Sequence, residues 1–199
     1  MRWTTLLFAA AVAWSPAVAD ETAPDYPDHR NLRVWRDADG EHRIETAEDW
    51  AKRRAHFLQG MQEAMGKLPD RSQLPPLDVK ISETYDGLNF TRYKLSFAGD
   101  QNDRVPCYLF VPKGLDGRRV PGILALHQTT AIGKMEPAGL GPNESKHYGL
   151  ELAKRGYVVI VPDYPSFGDY EYDFEADSYT SGSMKGIFNH MRAVDLLVS

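Results

Sequence analysis

Hydrophobic residues follow two different periods along this chain of 199 residues. From Trp50 to Met65 they recur every three or four positions, which predicts an amphipathic helix, and Thr46 to Asp49 form a capping box at its start. From Thr91 to Phe97 they alternate with polar residues, which predicts a strand with one buried face. Two more strands are predicted, over Leu77 to Thr84 and over Val105 to Val111, and the latter is apolar on both faces.

The second half of the chain has longer apolar runs. Gly122 to Leu126 and Tyr157 to Val161 are continuously apolar, and between them Asn143 can cap a helix that stops at Gly156. A strand, a helix and a strand in this order predict a parallel pair of strands, and therefore an α/β fold in which helices cover the sheet. A last helix is predicted to begin near Ser183. Its apolar stripe consists of Met184, Ile187, Phe188, Met191 and Val194.

The first residues have the pattern of a targeting segment. Arg2 precedes an apolar run from Leu6 to Trp14, and the small residues Ala17 to Ala19 follow. This pattern predicts a secretory signal peptide over residues 1–19, and hence a secreted or periplasmic protein with no stable membrane span after cleavage. The alternative, a membrane anchor, needs about twenty apolar residues, and this run is shorter.

The rest of the chain is predicted to form two further parts. Residues 20–76 are an N-terminal arm and helix, and residues 77–199 are the main domain. Within the first part, the polar stretch from 20 to 45 is predicted to be a linker or an irregular arm, because turn-forming residues interrupt it.

Composition and charge argue against several kinds of partner. The formal net charge is −5 and the longest basic run is Lys52 to Arg54, so a nucleic-acid partner is not expected. The single cysteine, Cys107, lies in an apolar strand pattern and is predicted to be buried and inert. Acidic residues alternate from Asp169 to Asp177, which fits either a solvated loop or calcium ligands. The glycine and distal glutamate of an EF-hand loop are missing, so no metal or other cofactor is expected.

Polar side chains follow both long apolar runs. His127, Gln128 and Thr129 come directly after the first run, and Asp163, Tyr164 and Ser166 follow the second. The carboxyl ends of parallel strands meet at one edge of a sheet, and ligands bind there in open α/β folds. These six residues are therefore the candidate site.

Three segments of the sequence resemble one enzyme family. They read DWAKRRAHFLQGMQEAMGKLP, LALHQTTAIGKMEPAGLG and ELAKRGYVVIVPDYPSFGDY. In this order they resemble the first half of secreted α/β-hydrolases related to dienelactone hydrolase and acetyl xylan esterase, over roughly residues 46–199. The resemblance implies a three-layer α/β/α domain with a mostly parallel sheet and antiparallel lead-in strands. It also implies an ester hydrolase acting on an acyl or carbohydrate ester.

The resemblance also implies roles for the first loop. In the family this loop often reads His-Gly-X, and the backbone N–H of X lines the oxyanion hole. Here Thr129 stands at X and Gln128 replaces the glycine, which leaves open which amide faces the site. The family role of His127 is mainly to hold the loop in place.

The catalytic triad of the family has no match in these residues. No G-x-S-x-G motif occurs. Ser166 lacks the glycine two residues before it, and Ser183 lacks the glycine two residues after it. The chain therefore resembles a hydrolase domain that ends before its nucleophile elbow. The nucleophile, the acid and the base are expected beyond Ser199, and this chain alone is expected to be inactive. The alternative is a non-catalytic secreted protein, a hydrolase-derived binding or interaction module.

Overall fold

The structure, a computed structural model, describes residues 23–199. The chain divides into two compact units, Met1–Met61 and Gln62–Ser199, and the first of these is described from residue 23 onwards. The predicted signal peptide lies outside the described residues, and the predicted boundary after residue 76 stays a prediction. No helix in residues 23–199 is long and apolar enough to cross a membrane.

The first unit contains a hairpin where the sequence predicted an irregular arm. Strands β1 (Val34–Asp37) and β2 (Gly40–Arg43) pair antiparallel, with Trp35 opposite His42. The two rings stack with centroids 4.4 Å apart. The prediction was wrong here because each strand has only four residues, too few for the alternation of apolar and polar positions to show.

Helix α1 (Ala47–Met65) begins at the predicted capping box. The Thr46 hydroxyl accepts the Asp49 N–H at 3.1 Å, and the Asp49 carboxylate accepts the Thr46 N–H at 3.1 Å. On the helix, the Arg53 guanidinium lies 3.3 Å from the centroid of the Tyr26 ring. A cap of this kind satisfies two backbone donors that the helix itself cannot satisfy.

Loss of this cap should lower the thermal stability of the protein. Replacing Thr46 with alanine removes the acceptor for the Asp49 N–H and should lower the melting temperature by about 2–4 °C. Replacing Thr46 with serine keeps the hydroxyl and should leave the melting temperature within about 1 °C of the wild type. Thermal unfolding followed by circular dichroism measures both, and equal losses in the two variants would contradict the capping role.

The second unit is built on a five-stranded mixed sheet. Its strands are β3 (Lys80–Asp86), β4 (Phe90–Ala98), β5 (Arg104–Pro112), β6 (Gly122–Leu124) and β7 (Val158–Pro162). Their spatial order is β3-β4-β5-β7-β6, so β3 and β6 are the edges. Only β6 and β7 pair parallel, and all the other neighbours pair antiparallel. In the described residues the sheet is therefore mostly antiparallel, whereas a mostly parallel sheet was predicted.

Most predicted strands are present, with shifted ends. The predicted strand Leu77 to Thr84 lies at Lys80–Asp86 instead, and a bulge interrupts its pairing between Ile81 and Glu83. Strand β6 ends at Leu124, two residues before its predicted end. The Ala125 N–H still donates to the Ile160 carbonyl at 2.9 Å, so the chain stays beside β7 as it leaves the strand.

Helices cover both faces of the sheet. Val159 and Val161 of β7 belong to one core cluster, which includes Ala153 of helix α2 (Tyr148–Lys154). Ile160 belongs to a second cluster on the other face, which includes Ala193 of helix α3 (Gly182–Val198). The unit thus has three layers, a helix on each side of the sheet.

Two helical predictions need correction. Asn143 caps a 3-10 turn (Glu144–Lys146) rather than α2, which starts later with His147 at its N-cap. On α3, Val194 of the predicted apolar stripe is exposed. The buried face includes three polar side chains that the stripe missed: Lys185, Asn189 and Arg192. Periodicity counts only apolar residues, so it cannot detect a face buried through charged and amide groups.

Candidate functional site

The loops that follow strands β6 and β7 lie at the same edge of the sheet. The two strands run parallel, with Leu124 opposite Ile160, so the segment 127–135 and the segment 163–169 leave the sheet side by side. All six candidate residues are thereby brought to one edge of the sheet. This is the position at which open α/β sheets bind ligands.

His127 ties the two loops together. It is 4 % exposed, and the Tyr164 N–H donates to its Nε2 at 3.0 Å. Its Nδ1 lies 2.7 Å from the Gln128 carbonyl oxygen. A backbone N–H can only donate and a carbonyl can only accept, so these contacts make Nε2 the acceptor and Nδ1 the donor of the ring. Because the Nε2 lone pair is occupied, His127 holds the loop and is not free to act as a base.

The next two residues, Gln128 and Thr129, are less buried than His127. Thr129 is exposed and Gln128 is half-buried. No hydrogen bond among the described residues engages the N–H of either one. The side-chain nitrogen of Gln128 is buried without a partner in the same part of the chain. An exposed, unpaired amide on an anchored loop is the arrangement that can stabilise a developing oxyanion.

Asp163 is the centre of a buried ion-pair network. Its side chain and that of Lys134 are both fully buried, and the Lys134 ammonium donates to Asp163 Oδ2. The Lys134 N–H donates to Oδ1 at 2.7 Å, and the Asp169 N–H donates to Oδ2 at 3.0 Å. The ammonium also donates to the Asp169 carboxylate at 2.8 Å. Asp163 therefore faces the interior and connects the two loops.

Two glycines make room for this carboxylate. Gly133 and Gly168 have φ angles of +51° and +59°. A Cβ atom on either one would lie 2.2 Å from Asp163 Oδ1. Any side chain at these positions would displace the carboxylate, and the backbone conformation itself favours glycine.

Ser166 is exposed at the tip of the second loop and has no base beside it. Its φ angle is +68°, and its N–H donates to the Tyr170 carbonyl at 2.9 Å. Its hydroxyl donates to the Tyr172 carbonyl at 3.2 Å. Among the described residues no serine hydroxyl is hydrogen-bonded to a histidine. The structure thus gives Ser166 the position of a surface loop residue without an activating partner.

Tyr164 lies between two histidines, of which sequence reasoning identified one. Its ring makes edge-on contacts with His127 at 4.9 Å and with His190 of α3 at 4.8 Å between centroids. Burial, and to a smaller extent the neighbouring His127, lowers the pKa of His190 to about 4. The ring nitrogen Nε2 is buried and has no partner in residues 23–199. His190 is therefore neutral at physiological pH.

Acidification should destabilise the protein through His190. The pKa is lowered from 6.5 to about 4 on folding, so the unfolded chain binds more protons between these values. Stability should therefore fall as the pH drops from 6.5 towards 4, with a contribution of about 3 kcal/mol from this residue. Urea unfolding of the wild type and of His190→Phe between pH 7 and pH 4 measures the contribution of His190 to the free energy of unfolding. A stability difference that stays constant with pH would contradict the prediction.

Three features lie apart from the polar residues of these loops. In residues 23–199 no three His, Cys, Asp or Glu side chains are grouped so as to hold a metal ion. Cys107 is free and fully buried, as predicted, and burial raises the pKa of its thiol. A cavity of about 630 Å³ lies between the β4–β5 turn and the segment 171–179, and its lining does not include residues 127–129.

No protein-family model and no curated protein matches this chain. Its structure is similar to the crystal structure of a "putative acetyl xylan esterase" from Bacteroides fragilis NCTC 9343, with a TM-score of 0.59 and 17 % sequence identity. The similarity covers 78 % of this chain and 45 % of the other, so the chain spans less than half the length of that protein.

The chain has an esterase-like α/β fold. At 17 % identity the likeness concerns the fold alone, and it supports the α/β class predicted from the sequence. In this fold the candidate loops lie at the edge where the two parallel strands end.

Proposed function

We propose that this chain carries the oxyanion-binding part of a secreted or periplasmic ester hydrolase that acts on an acyl or carbohydrate ester. The observation that carries the proposal is the segment Gln128–Thr129, whose backbone N–H groups are unpaired in the described residues. His127 anchors this segment at one end, and Asp163 anchors its continuation at Lys134. Rigid donors aimed at a developing negative charge supply a large part of the catalysis in acyl transfer.

The described residues do not supply a nucleophile with its base. Ser166 bonds to a backbone carbonyl, and the Nε2 of His127 is occupied by the Tyr164 N–H. In our proposal the serine, acid and histidine of the triad come from residues beyond Ser199, in the order usual for this fold. The triad histidine would then be a residue other than His127.

A second candidate is a non-catalytic binding module. This candidate is favoured because no hydrogen-bonded pair of a serine and a histidine occurs in residues 23–199. The two candidates differ in the coding sequence after Ser199. A G-x-S-x-G motif within about 25 residues, followed by an acid and a histidine, would support the hydrolase, and a stop codon would support the binding module.

Hydrolysis of p-nitrophenyl acetate tests the proposal. Residues 20–199 should show no turnover above the buffer rate, whereas the product of the complete reading frame should turn the ester over and react with a fluorophosphonate probe at its triad serine. Turnover by residues 20–199 that disappears in Ser166→Ala would refute the assignment of the nucleophile. An inert complete product would leave the binding module as the better proposal.

A further inference from the structure

The Lys134 side chain is a buried cation that makes no direct contact in the ester chemistry proposed above. Its side chain is fully buried, and its ammonium bonds to the carboxylates of Asp163 and Asp169. The Tyr108 ring lies 5.4 Å away, on the side of the sheet. The ammonium has no exposed surface, so it cannot reach a substrate.

Stability alone is a weak reason for a buried ion pair. Desolvation of the two charges offsets most of their attraction, and apolar side chains of similar size often replace such pairs without loss of stability. What an apolar pair cannot do is accept hydrogen bonds. Asp163 accepts backbone N–H groups from both loops, those of Lys134 and Asp169.

Hydrogen bonds between the two loops hold the chain on both sides of Thr129. At one end the Tyr164 N–H donates to His127. At the other end Asp163 holds the Lys134 N–H, and the Gly168 N–H donates to the Ala131 carbonyl at 3.2 Å. Thr129 lies between these anchors without a bond of its own in the described residues. Its position therefore depends on the orientation of the Asp163 carboxylate.

We propose that Lys134 is a positioning residue: its ammonium fixes the Asp163 carboxylate, and the carboxylate fixes the loop that presents the Thr129 N–H. Without the ammonium, the carboxylate would lose the partner that fixes its orientation, and its hydrogen bond to the Lys134 N–H would weaken. The geometrical part of this inference stands without the proposed function, whereas its effect on turnover rests on it.

The mobility of the Thr129 amide tests the geometrical part. We expect a ¹⁵N order parameter of about 0.85 in the wild type and below about 0.6 in Lys134→Met. Lys185→Met is the matched control, because Lys185 is also fully buried and also bonds to two carboxylates, those of Asp100 and Asp103. Those partners lie in the β4–β5 turn, so the control should leave the Thr129 order parameter unchanged.

A second variant covers the case in which Lys134→Met does not fold. The double variant Lys134→Met, Asp163→Leu removes both charges, and with them the acceptor for the two backbone N–H groups. It should show the same mobile Thr129 amide. An unchanged order parameter in a folded variant that lacks Lys134, or an equal change in the Lys185 control, would overturn the proposal.

Turnover by the product of the complete reading frame tests the link to catalysis. Lys134→Met should lower kcat about 10–100-fold, part of the effect of losing one oxyanion donor, while KM stays the same. Lys185→Met should change neither constant. Full kcat in folded Lys134→Met would overturn the positioning role. A wild type without turnover but with the expected order parameters would refute the proposed function and leave the positioning role intact.

Discussion

Replacing Asp163 with alanine should lower the free energy of unfolding by about 3–5 kcal/mol. The reason is the charge that the substitution leaves behind, because Lys134 is fully buried and would keep only its bond to Asp169. Two backbone N–H groups would lose their acceptor as well. Domains are typically stable by about 5–15 kcal/mol, so the variant should lie close to its limit of stability. Urea unfolding at pH 7 measures the difference.

Two comparisons separate this effect from the loss of a carboxylate in general. Asp169→Ala also removes a partner of Lys134, but the Asp169 side chain is 45 % exposed, so the loss should be about 1 kcal/mol or less. The double variant Asp163→Leu, Lys134→Met leaves no buried charge and should be more stable than Asp163→Ala. If Asp163→Ala unfolds like the wild type, the ammonium has another partner and the network described here is wrong.

The sequence predicted the long strands of the second unit better than the short hairpin of the first, because only a long strand shows a clear alternation of apolar and polar residues. Strand β4 spans nine residues, enough for alternation to show, and the structure places it within one residue of its predicted ends. The four-residue strands of the hairpin have no such pattern. The predicted ends of strands were wrong where the chain changes conformation without changing its polarity. Strand β6 ends at Leu124, although Ala125 and Leu126 continue the apolar run.

The position of the candidate site was predictable, but the roles of its residues were not. Polar residues directly after two apolar runs indicated the edge of the sheet. The segment AIGKM gives no sign that Lys134 is buried, since lysine is among the residues least often found inside a protein. The partner that makes its burial tolerable, Asp163, is 29 positions away in the sequence. Only the folded chain shows that the two residues meet.

The contacts of His190 on helix α3 could not be predicted from the sequence either. His190 is not part of the predicted apolar stripe of α3, and periodicity alone did not indicate a partner for its ring. The contact of its ring with Tyr164 depends on how α3 lies against the sheet, which periodicity does not specify. Asn189 and Arg192 lie beside the predicted apolar stripe and not within it, yet both are buried.

Replacing Thr129 with proline should lower kcat of the complete reading-frame product about 10²–10³-fold, with little change in KM. Proline has no N–H, so this substitution removes the amide that the structure leaves unpaired on the exposed loop. Ground-state binding of the ester depends less on this donor, because the negative charge on oxygen develops in the transition state. Steady-state kinetics with p-nitrophenyl acetate separates the two constants.

Thr129→Ala is the matched control for this substitution. It removes the side chain and keeps the N–H, so kcat should stay within about twofold of the wild type if the backbone donor is what matters. Proline also restricts Gln128, the residue before it, to extended conformations, so the loop could move as a whole. The amide resonances of Tyr164 and Gly168 report on that movement, because both N–H groups bond to the loop. Unshifted resonances together with full kcat in Thr129→Pro would exclude Thr129 from the oxyanion hole. Unshifted resonances with a large loss of kcat would assign the effect to the missing N–H itself.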